Sequence, residues 1–154
     1  MANEKDKQTL DAKQFIVVML GSEQFGIDIT YIDNIVRMQR ITRVPKTKKY
    51  FKGVINLRGE IVPVMSLRRK FHLEEDEYTN NTRIIIMKPE GHDAIGLIVD
   101  EVREVVTLTE DEIEKVNYTV NNDKYKYLQG IGKYKDTLIS LLSVQSVVIE
   151  KVPV

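Results

Sequence analysis

Residues 49–67 read KYFKGVINLRGEIVPVMSL, and 77 residues further on, residues 126–144 read KYLQGIGKYKDTLISLLSV. The Lys-Tyr pair, Gly53 with Gly130 and Ser66 with Ser143 are identical. Between them Phe51 pairs in kind with Leu128, Val54 with Ile131, Ile61 with Leu138, Val62 with Ile139, Val64 with Leu141 and Met65 with Leu142. Glycine, alternating apolar positions and a closing serine held in register over so long a window imply one supersecondary unit used twice. The largest difference is the turn: Asn56-Leu57-Arg58-Gly59 in the first copy, Lys133-Tyr134-Lys135-Asp136 in the second.

The duplication extends beyond these segments. Setting Gly26 beside Gly96 puts Ile27 on Leu97, Ile29 on Val99, Ile32 on Val102, Ile35 on Val105 and Val36 on Val106. Phe15–Leu20, a Gly21-Ser22 turn and Gln24–Ile27 read as a hairpin. Arg83–Met87, a Pro89-Glu90-Gly91 turn and Ala94–Val99 read as its counterpart. Thr30 is placed as the N-cap of a short helical turn over residues 30–35, followed by a strand to about Ile41; one long bent strand is the alternative. Ser66 and Ser143 should each cap a short turn, Leu67–Leu73 and Val144–Ile149, and Thr109 with Glu112 forms a capping box. Pro63, which lacks a ladder donor, predicts an edge or bulged strand. Residues 1–13 read as a flexible tail and residues 117–125 as a polar loop.

Many short strands punctuated by Gly, Pro and Asn indicate an all-β barrel or sandwich, and the duplication makes it two small barrels with short helical turns. The repeat units span about 14–73 and 83–149 of a domain running over 14–154, with strands free to exchange between the units. Each unit is small enough that a core of its own is marginal, so the two should share an apolar seam.

Twenty-three basic and 23 acidic side chains balance, which disfavours a general nucleic-acid binder. The chain has no cysteine, so disulfides, thiolate metal sites and thiol nucleophiles are excluded together. No apolar run approaches a membrane span, and the first residues lack a signal-peptide core, so a soluble cytoplasmic protein is the default. His72 precedes adjacent carboxylates that are not at metal-ligand spacing, and His92 lies in a turn. No catalytic motif is present, so neither an enzyme nor a cofactor or metal site is expected.

Three features suit a binding module. Arg58 stands at a hairpin tip, where a guanidinium either forks onto a partner's carboxylate or is simply solvated. Arg37, Arg40, Arg43, Lys46, Lys48, Lys49 and Lys52 crowd one region, either as a steering patch or as an ordinary charged face. The apolar set Ile29, Ile32, Ile35, Val36, Val102, Val105 and Val106 divides between seam, core and a groove that could take an amphipathic helix.

Gly26-Ile27-Asp28-Ile29, Lys52 through Gly59, Ile61-Val62-Pro63-Val64 and Gly96-Leu97-Ile98-Val99-Asp100 resemble the CheW adaptor proteins of bacterial chemotaxis, from about Gln14 to Ile149. The resemblance implies two five-stranded SH3-like barrels, no catalysis, and a cytoplasmic protein recruited to receptor arrays at the membrane without entering it. Its implied partners are the C-terminal regulatory domain of the histidine kinase CheA and the cytoplasmic tips of methyl-accepting chemotaxis receptors. It places Arg58 at the receptor contact, within the Asn56–Gly59 turn, and Ile32 and Val105 among the coupling positions, with Val36 as a further candidate partner contact. Asn34 stands where many relatives carry glutamate. A stand-alone relative of the kinase regulatory domain, or another SH3-like interaction module, is the alternative reading.

Overall fold

The computed structural model describes residues 12–115 and 125–148. Residues 1–11 of the tail expected over 1–13, most of the polar loop at 117–125 and the end of the last helical turn at Ile149 lie outside the described residues, and Lys13 already belongs to the first strand. Among the described residues, eleven strands build two sheets. In chain order they are β1 (Lys13–Leu20), β2 (Glu23–Asp28), β3 (Ile32–Arg37), β4 (Phe51–Leu57), β5 (Glu60–Ser66) and β6 (Arg83–Met87). There follow β7 (Ile95–Val99), β8 (Glu101–Leu108), β9 (Ile113–Lys115), β10 (Leu128–Tyr134) and β11 (Thr137–Leu142). Two helical turns, α1 (Leu67–Lys70) and α2 (Val144–Val148), follow the two repeat copies.

The sheets do not divide the chain at its middle. One runs β8-β1-β2-β11-β10-β9 and the other β3-β6-β7-β5-β4, so the hairpin of each sequence half is built into the other half's sheet. The two sheets repeat the same plan. β2 pairs in parallel with β11 as β7 does with β5, and Gly26 lies opposite Leu141 as Gly96 lies opposite Val64. Ile16 faces Val105 as Ile85 faces Ile35, and Phe15 faces Val106 as Ile84 faces Val36. These registers reproduce the Gly26–Gly96 sequence alignment for β2 with β7 and β3 with β8, while β1 matches β6 one residue out of it.

The exchange follows from the composition of the hairpins. A strand polar on alternate positions buries one face; β6 and β7 are buried at nearly every position, so both of their faces need cover. Ile84, Ile86 and Ile98 point into one barrel with Ile55, Val62 and Val64. The alternating residues Ile85, Met87, Leu97 and Val99 join Val18, Leu20, Phe25 and Ile27 in a seam between the sheets. Phe15 and Val17 fill the other barrel with Val106, Leu108, Ile139 and Leu141. Phe71, stacked on Phe25 at 5.4 Å and tilted against Tyr127 at 5.6 Å, ties the α1 end into that seam.

Both repeat copies carry the same backbone details. The β4–β5 register shifts between Phe51 and Gly53, and the β10–β11 register between Leu128 and Gly130. Ser66 N donates to Tyr50 O at 2.7 Å, and Ser143 N to Tyr127 O at 2.8 Å. The glycines after the bulges let a further segment approach: a Cβ on Gly53 would stand 2.1 Å from Thr42 O, and one on Gly130 2.9 Å from Glu114 O. Thr42 bridges Val54 on one side, whereas the other has the short strand β9.

Three expectations are corrected. The cap of the turn after β2 is Asp28, whose carboxylate accepts from Thr30 N at 2.9 Å. The helical part is only a 3-10 turn over Ile29–Tyr31, because Ile32 already enters the ladder opposite Met87. Pro63 lies on an interior strand between β4 and β7, not at an edge. The ladder tolerates it because Val54, opposite, spends its N–H and C=O on Thr42, and the pairing to β7 begins one residue later at Val64. Ser66 caps α1 as expected, accepting from Arg69 N at 3.1 Å, and Glu112 closes the capping box on Thr109 N at 2.9 Å.

One polar clamp crosses between the sheets. Arg68, in α1, donates from Nε to Asp100 Oδ1 at 2.9 Å and from Nη2 to Oδ2 at 2.5 Å, and Gly21 N donates to the same Oδ2 at 2.7 Å. Burial pushes the Asp100 carboxyl up, but the Arg68 fork and the Gly21 amide outweigh it and hold the group below its usual value.

Gly53→Ala should cost about 3 kcal/mol, because its Cβ meets backbone that cannot swing aside. Gly59→Ala, at φ +83 with nothing within 4 Å, should cost only about 1 kcal/mol from the turn conformation. Urea melts of the two variants test the ordering. Asp100→Asn should lower stability by about 2 kcal/mol at neutral pH. Since the folded-state pKa of Asp100 is depressed, that difference should be full above the ordinary value of 3.8 and shrink as pH falls through the folded value. A difference that does not change between neutral pH and acid would rule out the charge-based account of the clamp.

Candidate functional site

The β4–β5 turn is built by its own sequence. Arg58 and Gly59 have φ of 53° and 83°, the pair of positive values that a two-residue turn needs to match the twist of its strands. Asn56 locks it, its side-chain oxygen accepting from Gly59 N at 2.9 Å. Glycine takes this conformation without cost, and arginine does not. Arg58 is exposed, and among the described residues no carboxylate lies within ion-pair distance of it. The corresponding turn of the second copy also holds two positive-φ residues, Lys135 and Asp136, but there Lys135 Nζ lies 5.2 Å from the Tyr134 ring centroid. The first copy thus presents an exposed arginine, without an ion-pair partner among the described residues, on a turn fixed by a hydrogen bond.

Ile61, opposite Asn56 across the ladder, is 61% exposed, and Leu138, opposite Lys133, is 61% exposed as well. An apolar side chain follows the turn in both copies, as the correspondence of Ile61 with Leu138 in the repeat implies. Each turn therefore offers donors and an apolar contact side by side, which suits recognition of a protein surface.

The remaining expected positions lie elsewhere. Ile32, Asn34 and Val36 are on β3, the edge strand opposite β4 in the five-stranded sheet. The strand directions put the start of β3 and the Arg58 turn at the same end of that sheet. Asp33 is the extra residue of a register shift between Ile32 and Asn34, and Asn34 Oδ1 accepts from Ile35 N at 2.8 Å. Ile32 packs partly buried on the central seam and Val36 on the barrel of its own sheet. Val105 lies in the other sheet on its edge strand β8, half exposed at 51%. The structure thus joins Asn56, Arg58 and Gly59 in one turn, sets Ile32, Asn34 and Val36 on one edge, and separates Val105 from both. Of the seven-residue apolar set, Ile35 and Val102 belong with Ile32 at the seam and Val106 is core.

Sequence reasoning missed the Arg68–Asp100 clamp. Its signal was a difference between the copies: α2 carries Gln145 where α1 carries Arg68. Among the described residues there is no cluster of three His, Cys, Asp or Glu able to hold a metal, and no helix is long and apolar enough to cross a membrane.

Residues 14–151 match the family described as CheW-like domain. The chain is 36% identical over 135 residues to the chemotaxis protein CheW of Bacillus subtilis, spanning 88% of this chain and 86% of that one. It is 34% identical over 146 residues to the CheW of Helicobacter pylori, spanning 95% and 87%. The crystal structure of the scaffolding protein TtCheW from Thermoanaerobacter tengcongensis superposes with a TM-score of 0.80 at 33% identity, over 88% of this chain and 91% of that one.

The turn geometry separates stability from recognition. Arg58→Gly should raise stability by about 0.5 kcal/mol, relief of the positive φ being partly offset by a freer unfolded chain. Asn56→Ala should lower it by about 0.5 kcal/mol through loss of the Gly59 hydrogen bond. Chemical melts of both variants give the signs, and a destabilised Arg58→Gly variant would contradict the strained-turn reading.

Proposed function

The chain belongs to the CheW family of chemotaxis proteins, and we propose on that premise that it is a non-enzymatic adaptor coupling chemoreceptors to the histidine kinase CheA. One barrel surface meets the C-terminal regulatory domain of the kinase, and another meets the cytoplasmic tip of a methyl-accepting receptor. Such a protein works in the cytoplasm at receptor arrays, without inserting into the membrane and without a cofactor.

The observation that carries this reading is Arg58. A residue type disfavoured at φ +53 is held there, free of ion-pair partners among the described residues, by a turn that Asn56 and Gly59 lock. Strain of this kind persists where the side chain serves a purpose outside the fold. A guanidinium so placed can fork onto a carboxylate of a receptor helix, with Ile61 beside it as an apolar contact. In this reading Ile32, Asn34 and Val36 contribute the polar and apolar edge of β3, and Val105 contributes an exposed contact on β8. With asparagine at position 34, the edge offers a neutral amide in place of a second charge.

Arg58→Asp should weaken binding to a receptor-tip fragment by about tenfold or more, leaving binding to the kinase regulatory domain and the melting transition unchanged. Calorimetric titration with each fragment tests this, and an unaltered receptor affinity would remove Arg58 from the contact.

A further inference from the structure

From Arg37 to Gly59 the chain has no acidic residue, although it is neutral as a whole. This stretch folds around an open cleft of about 710 Å³, some way along β4 from the Arg58 turn. Arg40, Arg43, Lys46, Lys48 and Lys49 form its rim. Met38, Ile41, Phe51 and the half-exposed Tyr78 supply apolar surface within it. Lys46 is held at φ 62° in the loop that carries these cations.

The cleft already shows which chemistry it accepts. Two further lining cations, Lys52 and Arg69, are occupied by the chain's own acidic connector. Arg69 Nε and Nη2 donate to the Glu75 carboxylate at 2.6 and 3.0 Å, Lys52 Nζ lies 3.6 Å from Glu75, and Asp76 accepts from Ser66 Oγ at 2.5 Å. Among the described residues the five rim cations have no carboxylate within 4.0 Å. One wall of the cleft is thus neutralised by an acidic strap, and among the described residues the five positive charges of the rim have no counter-charge within ion-pair distance.

We infer that this cleft is a docking site for an acidic protein segment, which sets carboxylates against the Arg40–Lys49 rim and an apolar side chain on Met38, Ile41 and Phe51. Charge complementarity selects the occupant. Concavity and the apolar floor favour an extended peptide over a flat anionic membrane. Tyr78 alone does not make the row of stacking rings that single-stranded nucleic acid uses. The site is separate from the Arg58 turn and does not depend on the adaptor role.

The test uses the full chain and a fluorescein-labelled peptide of alternating glutamate and leucine, followed by fluorescence anisotropy. The peptide should bind, more weakly as salt rises, and its glutamine counterpart should not. The combined variant Arg43→Gln, Lys46→Gln, Lys48→Gln should lose about tenfold or more in affinity. A control pair remote in sequence, Arg103→Gln with Lys133→Gln, should retain it, and melting curves of both should match the wild type. The inference is overturned by no binding, by rim and control variants behaving alike, or by tighter association with phosphatidylglycerol vesicles or a single-stranded oligonucleotide than with the peptide.

Discussion

Two hairpins that are apolar on both faces hold this molecule together. β1–β2 and β6–β7 cannot satisfy themselves within one small barrel, since whichever face is turned inward leaves a second apolar face in water. Placing each hairpin in the other half's sheet resolves this. One face of each completes a barrel, and the opposite faces meet in the central seam with Phe71, Tyr127 and Leu142. The two barrels therefore fold as a unit, because neither sheet is complete without strands from the other end of the chain. Long-range pairing such as β1 with β8 has a cost in loop closure, and the seam offsets it by burying both hairpins at once.

That arrangement explains why the repeat is so readable. Gly53 and Gly130 admit close backbone, Ser66 and Ser143 donate their N–H groups to the tyrosine carbonyls, and the paired apolar residues fill equivalent positions. Packing punishes change at such positions, so the two copies kept them in register and the duplication stands out from residue order alone. The β1–β2, β4–β5 and β6–β7 hairpins and the Ser66-capped turn were legible for the same reason, whereas β8 and β9 were not. What was not legible depended on tertiary pairing. Asp28 displaced Thr30 as the cap because the 3-10 turn starts directly from β2, and Pro63 sits in an interior strand because its neighbour's polar groups are engaged elsewhere. No local pattern contains either fact.

The candidate site was legible to a different degree. The Asn56–Gly59 turn announced itself by its glycine and its arginine, and the locking hydrogen bond follows from Asn56 lying three residues before Gly59. The edge positions were harder. Ile32, Ile35 and Val105 look alike in sequence, yet Ile32 and Ile35 lean on the seam whereas Val105 is half exposed. Burial at an edge strand depends on what the other sheet places against it, which periodicity along one strand does not encode.

Where the copies differ, the differences concentrate at places that packing leaves free. Position 58 or 135 stands at a turn tip, position 68 or 145 lies in a helical turn, and the charged residues Arg40, Arg43, Lys46, Lys48 and Lys49 of the loop before β4 are exposed. Arg58, the Arg68–Asp100 clamp and the cationic cleft all lie at or beside the first copy, and the second copy has Gln145 where the first has Arg68. A duplicated scaffold is symmetric in its core because both halves must fit one seam. Its surface is under no such constraint, so the turn tips at positions 58 and 135 are free to differ.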